Sequence, residues 1–146
     1  MSLKENLKIE RYKFVVDRQG YFTDLAKQTF NLYARTFAAF SAGAVTLISL
    51  RNQLSLKATV VISLLDAIAL LLTLAAIISI IQICFCLKRW YGFRKAECEI
   101  NPDAPKPESW AWLFEGMYCI AIIASIVVAW WGVNHFEALL LALADK

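Results

Sequence analysis

Proline, glycine and histidine are scarce in this chain of 146 residues, which has three prolines, five glycines and one histidine. All three prolines fall within residues 102–107, so nothing outside that stretch forces a long helix to break. The glycines are scattered, and no Gly-rich phosphate-binding loop can be assembled from them. The scarcity of turn-forming residues therefore favours long helices and excludes the common nucleotide-binding loops.

Residue groupings that perform chemistry are also missing. We find no Ser/His/Asp or Cys/His grouping and no pair of carboxylates within an apolar segment. Cys84 and Cys86 would point about 200° apart on one helix, so they cannot converge on a metal with the distant His135. The sequence predicts neither an enzyme nor a metal or cofactor site.

Apolar residues are in excess, at 60% of the chain against about 45–50% in ordinary soluble proteins. The longest apolar run, Ala58–Leu87, is interrupted by one formal charge, Asp66. A helix of that length extends about 45 Å, whereas the hydrocarbon core of a bilayer is about 30 Å thick. This segment is therefore predicted to cross a membrane.

Two further spans are predicted on either side of this run, at about 30–50 and 112–133. The first lacks charge after Arg35, whose long side chain can reach the headgroups. The other carries aromatic residues at both ends, as is typical of the two membrane interfaces. The predicted fold class is all-α: a polytopic membrane protein with three transmembrane helices and an amphipathic N-terminal cytosolic helix.

The segments outside these spans complete the predicted organisation. Residues 1–29 form a cytosolic amphipathic segment, whose first element is expected to end at Gly20 and which lies either on anionic headgroups or free in the cytosol. Residues 51–57 are a tight turn, and 88–111 are a cytosolic loop. Residues 134–146 are too short to cross again. We interpret them as a short interfacial C-terminal helix, the alternative being a continuation of the third span.

Orientation is predicted from the basic residues that follow the long apolar run. Twelve of the fifteen Lys and Arg residues fall on one predicted side, which places the N-terminus in the cytosol and the C-terminus outside a cell inner (plasma) membrane. The residues that decide this form a basic patch interleaved with aromatics, namely Lys88, Arg89, Arg94 and Lys95. Its expected partner is the anionic headgroups of the lipid bilayer and not nucleic acid. Glu115 is expected to pair with Arg89 or Arg94.

A polar stripe runs along the long second span. Its four residues fall within about 80° on a helical wheel and are the candidate pore-lining set, namely Thr59, Ser63, Asp66 and Thr73. An ionisable residue inside a membrane segment is a functional hypothesis, because burying its charge in lipid is costly. The alternative is that Asp66 lies near a headgroup region, hydrated or paired with Arg51 or Lys57.

Small residues on the first span, Ala39 and Gly43, permit close approach of another helix. They are the candidate helix-packing residues, and three helices cannot hide so much apolar surface from one another. Both observations favour a homo-oligomer.

Over residues 20–96, a cytosolic helix runs into two membrane helices joined by a tight turn (RNQLSLK), followed by a basic-aromatic segment (KRWYGFRK). This layout resembles the SLATT-type small membrane effectors of bacterial anti-phage systems. The resemblance implies oligomers that permeabilise the inner membrane on a cytosolic signal. The third span is an addition to that layout.

These features together predict a small inner-membrane protein that homo-oligomerises to permeabilise or gate the membrane. The alternative is a non-conducting membrane anchor or scaffold for a cytosolic protein partner that docks on residues 1–30 and 88–109. A phage holin and a membrane enzyme are less favoured, because the C-terminal tail is not basic and no polar constellation is present.

Overall fold

In a computed structural model of the chain, the residues described are 3–51, 53, 56–104, 106 and 113–144. These residues form three α-helices, α1 (Leu3–Leu50), α2 (Ala58–Ile100) and α3 (Leu113–Ala144). Each is long and apolar enough to cross a membrane. The all-α prediction, with three long apolar helices, is confirmed.

Helix α1 runs without interruption through Gly20, so the prediction that Gly20 ends a first element is wrong. A glycine inside a helix costs only about 1 kcal/mol relative to alanine. Gln19, directly before it, is buried, and packing of α1 on both sides of the glycine offsets that cost. The amphipathic N-terminal segment and the first predicted span are thus one helix.

Helix α2 extends thirteen residues beyond Leu87, so residues 88–100, predicted as part of a loop, are helical. No proline or cluster of turn residues occurs there, and charge alone does not break a helix. The helix ends at Ile100, immediately before the Asn101–Pro102 step. Asn101 accepts a hydrogen bond from the backbone amide of Asp103 (3.2 Å), which forms the turn.

Helix α3 continues past Val133 to Ala144, so residues 134–144 belong to it and do not form a separate interfacial helix. No residue in that stretch carries a helix-stopping signal. The continuation is the second of the two arrangements considered from the sequence. The predicted start of the third span near Trp112 falls outside the described residues.

The contacts divide the chain into two compact units. The first unit comprises Met1–Phe30 and Ile80–Cys119, and the second comprises Asn31–Ser79 and Ile120–Lys146. In the second unit, α2 buries a seam that recurs every three or four residues: Val61, Leu65, Ala69, Leu72 and Ala76.

Two hydrogen bonds between helices accompany that seam in the second unit. The hydroxyls of Tyr33 and Ser125 lie 2.6 Å apart, and the indole of Trp130 donates to the Thr73 hydroxyl over 3.0 Å. Hydrogen bonds between helices of this kind fix which faces meet, a choice that apolar surfaces alone leave open.

Aromatic rings hold α1 against α2 in the first unit. Phe22 stacks on Phe93 with ring centroids 5.8 Å apart and meets Phe85 edge to face at 6.3 Å. Phe14 approaches Phe93 at 6.2 Å, also edge to face. Such pairs add about 0.5–1.5 kcal/mol each beyond the area that they bury. They position the basic patch that follows the apolar part of α2.

Candidate functional site

The predicted polar stripe on α2 is divided by its contacts. Thr59, Ser63 and Asp66 are exposed, whereas Thr73 is half-buried and accepts the hydrogen bond from Trp130. Three of the four candidate pore-lining residues are thus exposed on one side of the helix, where the Ser63 hydroxyl donates to the Thr59 backbone carbonyl over 2.9 Å. The fourth, Thr73, contacts α3 through its hydrogen bond with Trp130.

Asp66 has no ion-pair partner in the part of the chain that the structure describes. The alternative that it pairs with Arg51 or Lys57 therefore finds no contact to support it. An exposed carboxylate on an otherwise apolar helix requires water or a polar partner.

The candidate helix-packing residues on α1 lie on an exposed part of that helix. Ala39 and Gly43 are both exposed, and a Cβ added at Gly43 would meet no atom within 4 Å. Contacts within one copy of the chain therefore leave this face open for another helix.

The basic patch splits into two kinds of residue. Lys88, Arg89 and Lys95 are exposed, and the guanidinium of Arg89 lies over the Phe85 ring at 5.2 Å from its centroid. Arg94 instead turns inward and forms an ion pair with Glu97, one turn further along α2. Three of the four basic residues are thus exposed without an ion pair to any described residue, while Arg94 is neutralised inside the first unit.

Glu97 is the centre of a buried polar network that joins α1 to α2. Its carboxylate, in a residue only 4% exposed, accepts hydrogen bonds from Gln19 (2.8 Å), Tyr12 (3.4 Å) and Arg94. Arg94 also reaches the side-chain oxygen of Gln19, at 3.5 Å. The charge is thereby compensated on several sides.

Burial alone would raise the pKa of Glu97, which lies ten residues beyond the end of the charge-free segment. The hydrogen bonds from Gln19, Arg94 and Tyr12, together with the positive charge of Arg94, outweigh that cost and lower the pKa below its ordinary value. Glu97 is therefore ionised at neutral pH and holds the two helices together as an anion.

Sequence reasoning missed this network. Tyr12 and Gln19 lie seven residues apart on α1, and Arg94 and Glu97 three apart on α2, so each pair shares a helix face. That spacing is a usable signal, but only the register between the helices shows that the pairs meet.

Within the described ranges Glu115 forms no ion pair with Arg89 or Arg94, and Arg94 is engaged with Glu97. One of its carboxylate oxygens, Oε2, is buried and has no hydrogen-bond partner among the described residues. Glu115 lies in the first turn of α3, where the positive end of the helix dipole favours a carboxylate. That placement offers a physical reason for a carboxylate at this position.

The second unit holds an apolar cavity of about 360 Å³, which is large enough for a small ligand. Residues of all three helices line it, among them Phe40, Leu65 and Phe136. His135 also lines it, and its ring stacks on Trp131 at 5.3 Å. Apart from His135 and Ser41, the described lining is apolar or aromatic.

Within the described ranges, no group of three or more His, Cys, Asp or Glu side chains is placed to hold a metal ion. Cys84, Cys86 and Cys119 form no disulfide bond with another described residue. The geometry instead offers exposed polar groups on one apolar helix, an open small-residue face and a partly free basic patch.

We compared the chain with protein-family models, with curated proteins and with solved structures, and none of them matches it.

Proposed function

We propose that this protein is a three-span inner-membrane protein that homo-oligomerises and permeabilises or gates the bilayer. Its N-terminus lies in the cytosol and its C-terminus outside. In line with the resemblance to SLATT-type effectors, a bacterial anti-phage system is the proposed setting.

The observation that carries the proposal is the exposed apolar surface of the helices. Ile81 (64%), Ile120 (68%) and Val127 (62%) are well exposed, and many neighbours on α2 and α3 are exposed as well. Monomeric soluble proteins rarely expose contiguous apolar patches larger than a few hundred Å². Contact with lipid tails removes the free-energy cost of exposing such a surface to water.

Two further features favour assembly and conduction over a passive anchor. The open face around Ala39 and Gly43 suits close contact with a second copy. The exposed carboxylate of Asp66 is unsuited to lipid tails, and a water-filled path at the centre of an oligomer would hydrate it together with the neighbouring Thr59 and Ser63.

The alternative, a non-conducting anchor for a cytosolic partner, is favoured by a different observation. The N-terminal part of α1 exposes large apolar side chains, including Leu7 (57%) and Phe14 (52%), before the predicted span begins. A partner protein would cover them. This alternative predicts a membrane-bound protein with no conductance.

Topology is tested by labelling single cysteines in intact cells, starting from a variant without the four native cysteines. Gln53→Cys should react with a membrane-impermeant maleimide and Asp103→Cys should not, because the basic residues 88–95 outweigh Arg51 and Lys57. Both sites should react after permeabilisation, which is the control. Reaction of Asp103→Cys but not of Gln53→Cys in intact cells would show that each loop lies on the opposite side of the membrane.

Conduction through the polar stripe is tested by single-channel recording in planar bilayers. Asp66→Asn should reduce conductance or cation preference, because it removes the fixed negative charge from the path. Asp66→Leu should abolish conduction by removing the polar group altogether.

Asp103→Asn is the matched control, since it removes a carboxylate from the turn after α2 and should leave the recordings unchanged. Identical conductance and reversal potential in the wild type and both Asp66 variants would exclude Asp66 from the mechanism.

A further inference from the structure

A cavity of about 500 Å³ lies on the first unit where the charge-free part of α2 ends. Its described lining is Phe85, Lys88, Arg89, Gly92, Phe93 and Ala96. Phe85 belongs to the apolar run, whereas Lys88 and Arg89 are the first two cations after it. The cavity therefore joins an apolar end to a positively charged end.

The cations in this cavity are available to a ligand. Neither Lys88 nor Arg89 forms an ion pair with any described residue, in contrast to Arg94, which is held by Glu97. Arg89 lies over the Phe85 ring, which orients its guanidinium without neutralising it. Two positive charges that lack an ion-pair partner at one cavity favour the binding of an anion.

The apolar walls are fixed in advance by α1. Phe85 and Phe93 both contact the Phe22 ring, and Phe93 also contacts Phe14. Walls that are already ordered need no further ordering when a ligand enters, which favours affinity.

Gly92 keeps the cavity open between the cations and Phe93. A Cβ added at this position would meet no atom within 4 Å, so the helix is not short of space there. A long side chain at 92 would instead extend into the cavity.

We infer that this cavity is a binding site for an anionic phospholipid, with the phosphate held by Lys88 and Arg89 and an acyl chain lying along Phe85. The charge complementarity and the position at the end of the apolar segment select this ligand. The inference rests on the proposed membrane location and goes beyond it, since it replaces diffuse attraction by a defined site.

The test measures lipid binding to the purified full-length protein in a non-ionic detergent by native mass spectrometry, titrating phosphatidylglycerol against phosphatidylcholine. Phosphatidylglycerol should bind more tightly. Lys88→Ala/Arg89→Ala should lose about thirtyfold in affinity, because each basic residue near a lipid surface contributes about fivefold.

Lys95→Ala is the matched control, since it removes an equal charge from the same helix at a position that does not line the cavity. A defined site predicts a loss below about twofold for this variant, whereas diffuse attraction predicts about fivefold. A loss of affinity of about fivefold for Lys95→Ala, equal to that expected on removing one of the two cavity cations, would overturn the inference.

Gly92 variants test the cavity without changing charge. Gly92→Leu should weaken binding by filling the space, and Gly92→Ala should keep it. Unchanged binding of Gly92→Leu would overturn the inference, as would equal binding of phosphatidylcholine. Equal binding of water-soluble glycerol phosphate would overturn it in favour of a soluble anion.

Binding in detergent depends neither on oligomerisation nor on conduction. A protein that binds phosphatidylglycerol in this way but does not leak ions would contradict the proposed function alone. A protein that conducts but fails the lipid test would contradict the inference alone.

Discussion

Replacing Glu97 by leucine is expected to lower the free energy of unfolding by about 3 kcal/mol, since breaking a buried ion pair leaves the other charge uncompensated. The uncompensated group is Arg94, whose side chain is only 19% exposed, and Gln19 loses its acceptor as well. The measurement is denaturant unfolding in mild detergent.

Glu99→Leu is the matched control, because it removes a carboxylate two residues away at an exposed position and should change stability by less than about 0.5 kcal/mol. The triple variant Gln19→Leu/Arg94→Met/Glu97→Leu should recover most of the loss by removing the stranded polar groups together. A cost of Glu97→Leu equal to that of Glu99→Leu would show that the network does not hold the helices.

The difference in stability between the wild type and Glu97→Leu is expected to depend on pH. The pKa of Glu97 is lowered from its ordinary value of 4.5, so its stabilising contribution is fully present above that value. It is lost as the pH falls through the lower pKa of the folded state. The stability difference between wild type and Glu97→Leu should therefore be constant near pH 7 and shrink below about pH 4.5.

Replacing Gly43 by leucine is expected to convert the oligomer into monomers and to abolish leakage. The added side chain separates helices that meet at the small-residue face, where backbones must approach closely. Leucine is also a better helix former than glycine by about 0.8 kcal/mol, so the helix itself should be preserved. Light scattering in mild detergent measures the assembly.

Gly20→Leu serves as the control for this substitution. Gly20 lies on the same helix, is exposed and has no atom within 4 Å of an added Cβ, but precedes the predicted span. Its variant should assemble like the wild type. A wild-type monomer, or an unchanged assembly of Gly43→Leu, would exclude this face as the interface.

The number of helices and the all-α fold class were predictable from the sequence. Long charge-free runs predict membrane-crossing helices, and the clustered prolines mark a connection between two of them. The helix ends were not predictable in this way. Neither Gly20 nor the charge of Lys88 ends its helix, because neighbouring helices pack against both sides of each position. Local signals are overridden where tertiary contacts continue on both sides.

The candidate site was only partly predictable for a related reason. Helix α2 is apolar around much of its circumference, so the sequence does not say which face turns inward. The register that buries Leu65 and Ala69 also brings Thr73 to Trp130 and leaves Asp66 exposed. Arg94, interpreted with its neighbours as an orientation signal, turns out to be the partner of Glu97 for the same reason.

The central claim is that the protein itself permeabilises a membrane, and release of an entrapped dye from liposomes tests it most directly. Purified wild-type protein, reconstituted into vesicles containing phosphatidylglycerol, should release a small fluorescent dye, and Gly43→Leu inserted at equal density should not. Vesicles without protein give the baseline. Release at baseline from wild-type vesicles in which carbonate extraction confirms insertion would contradict the claim and favour a non-conducting anchor.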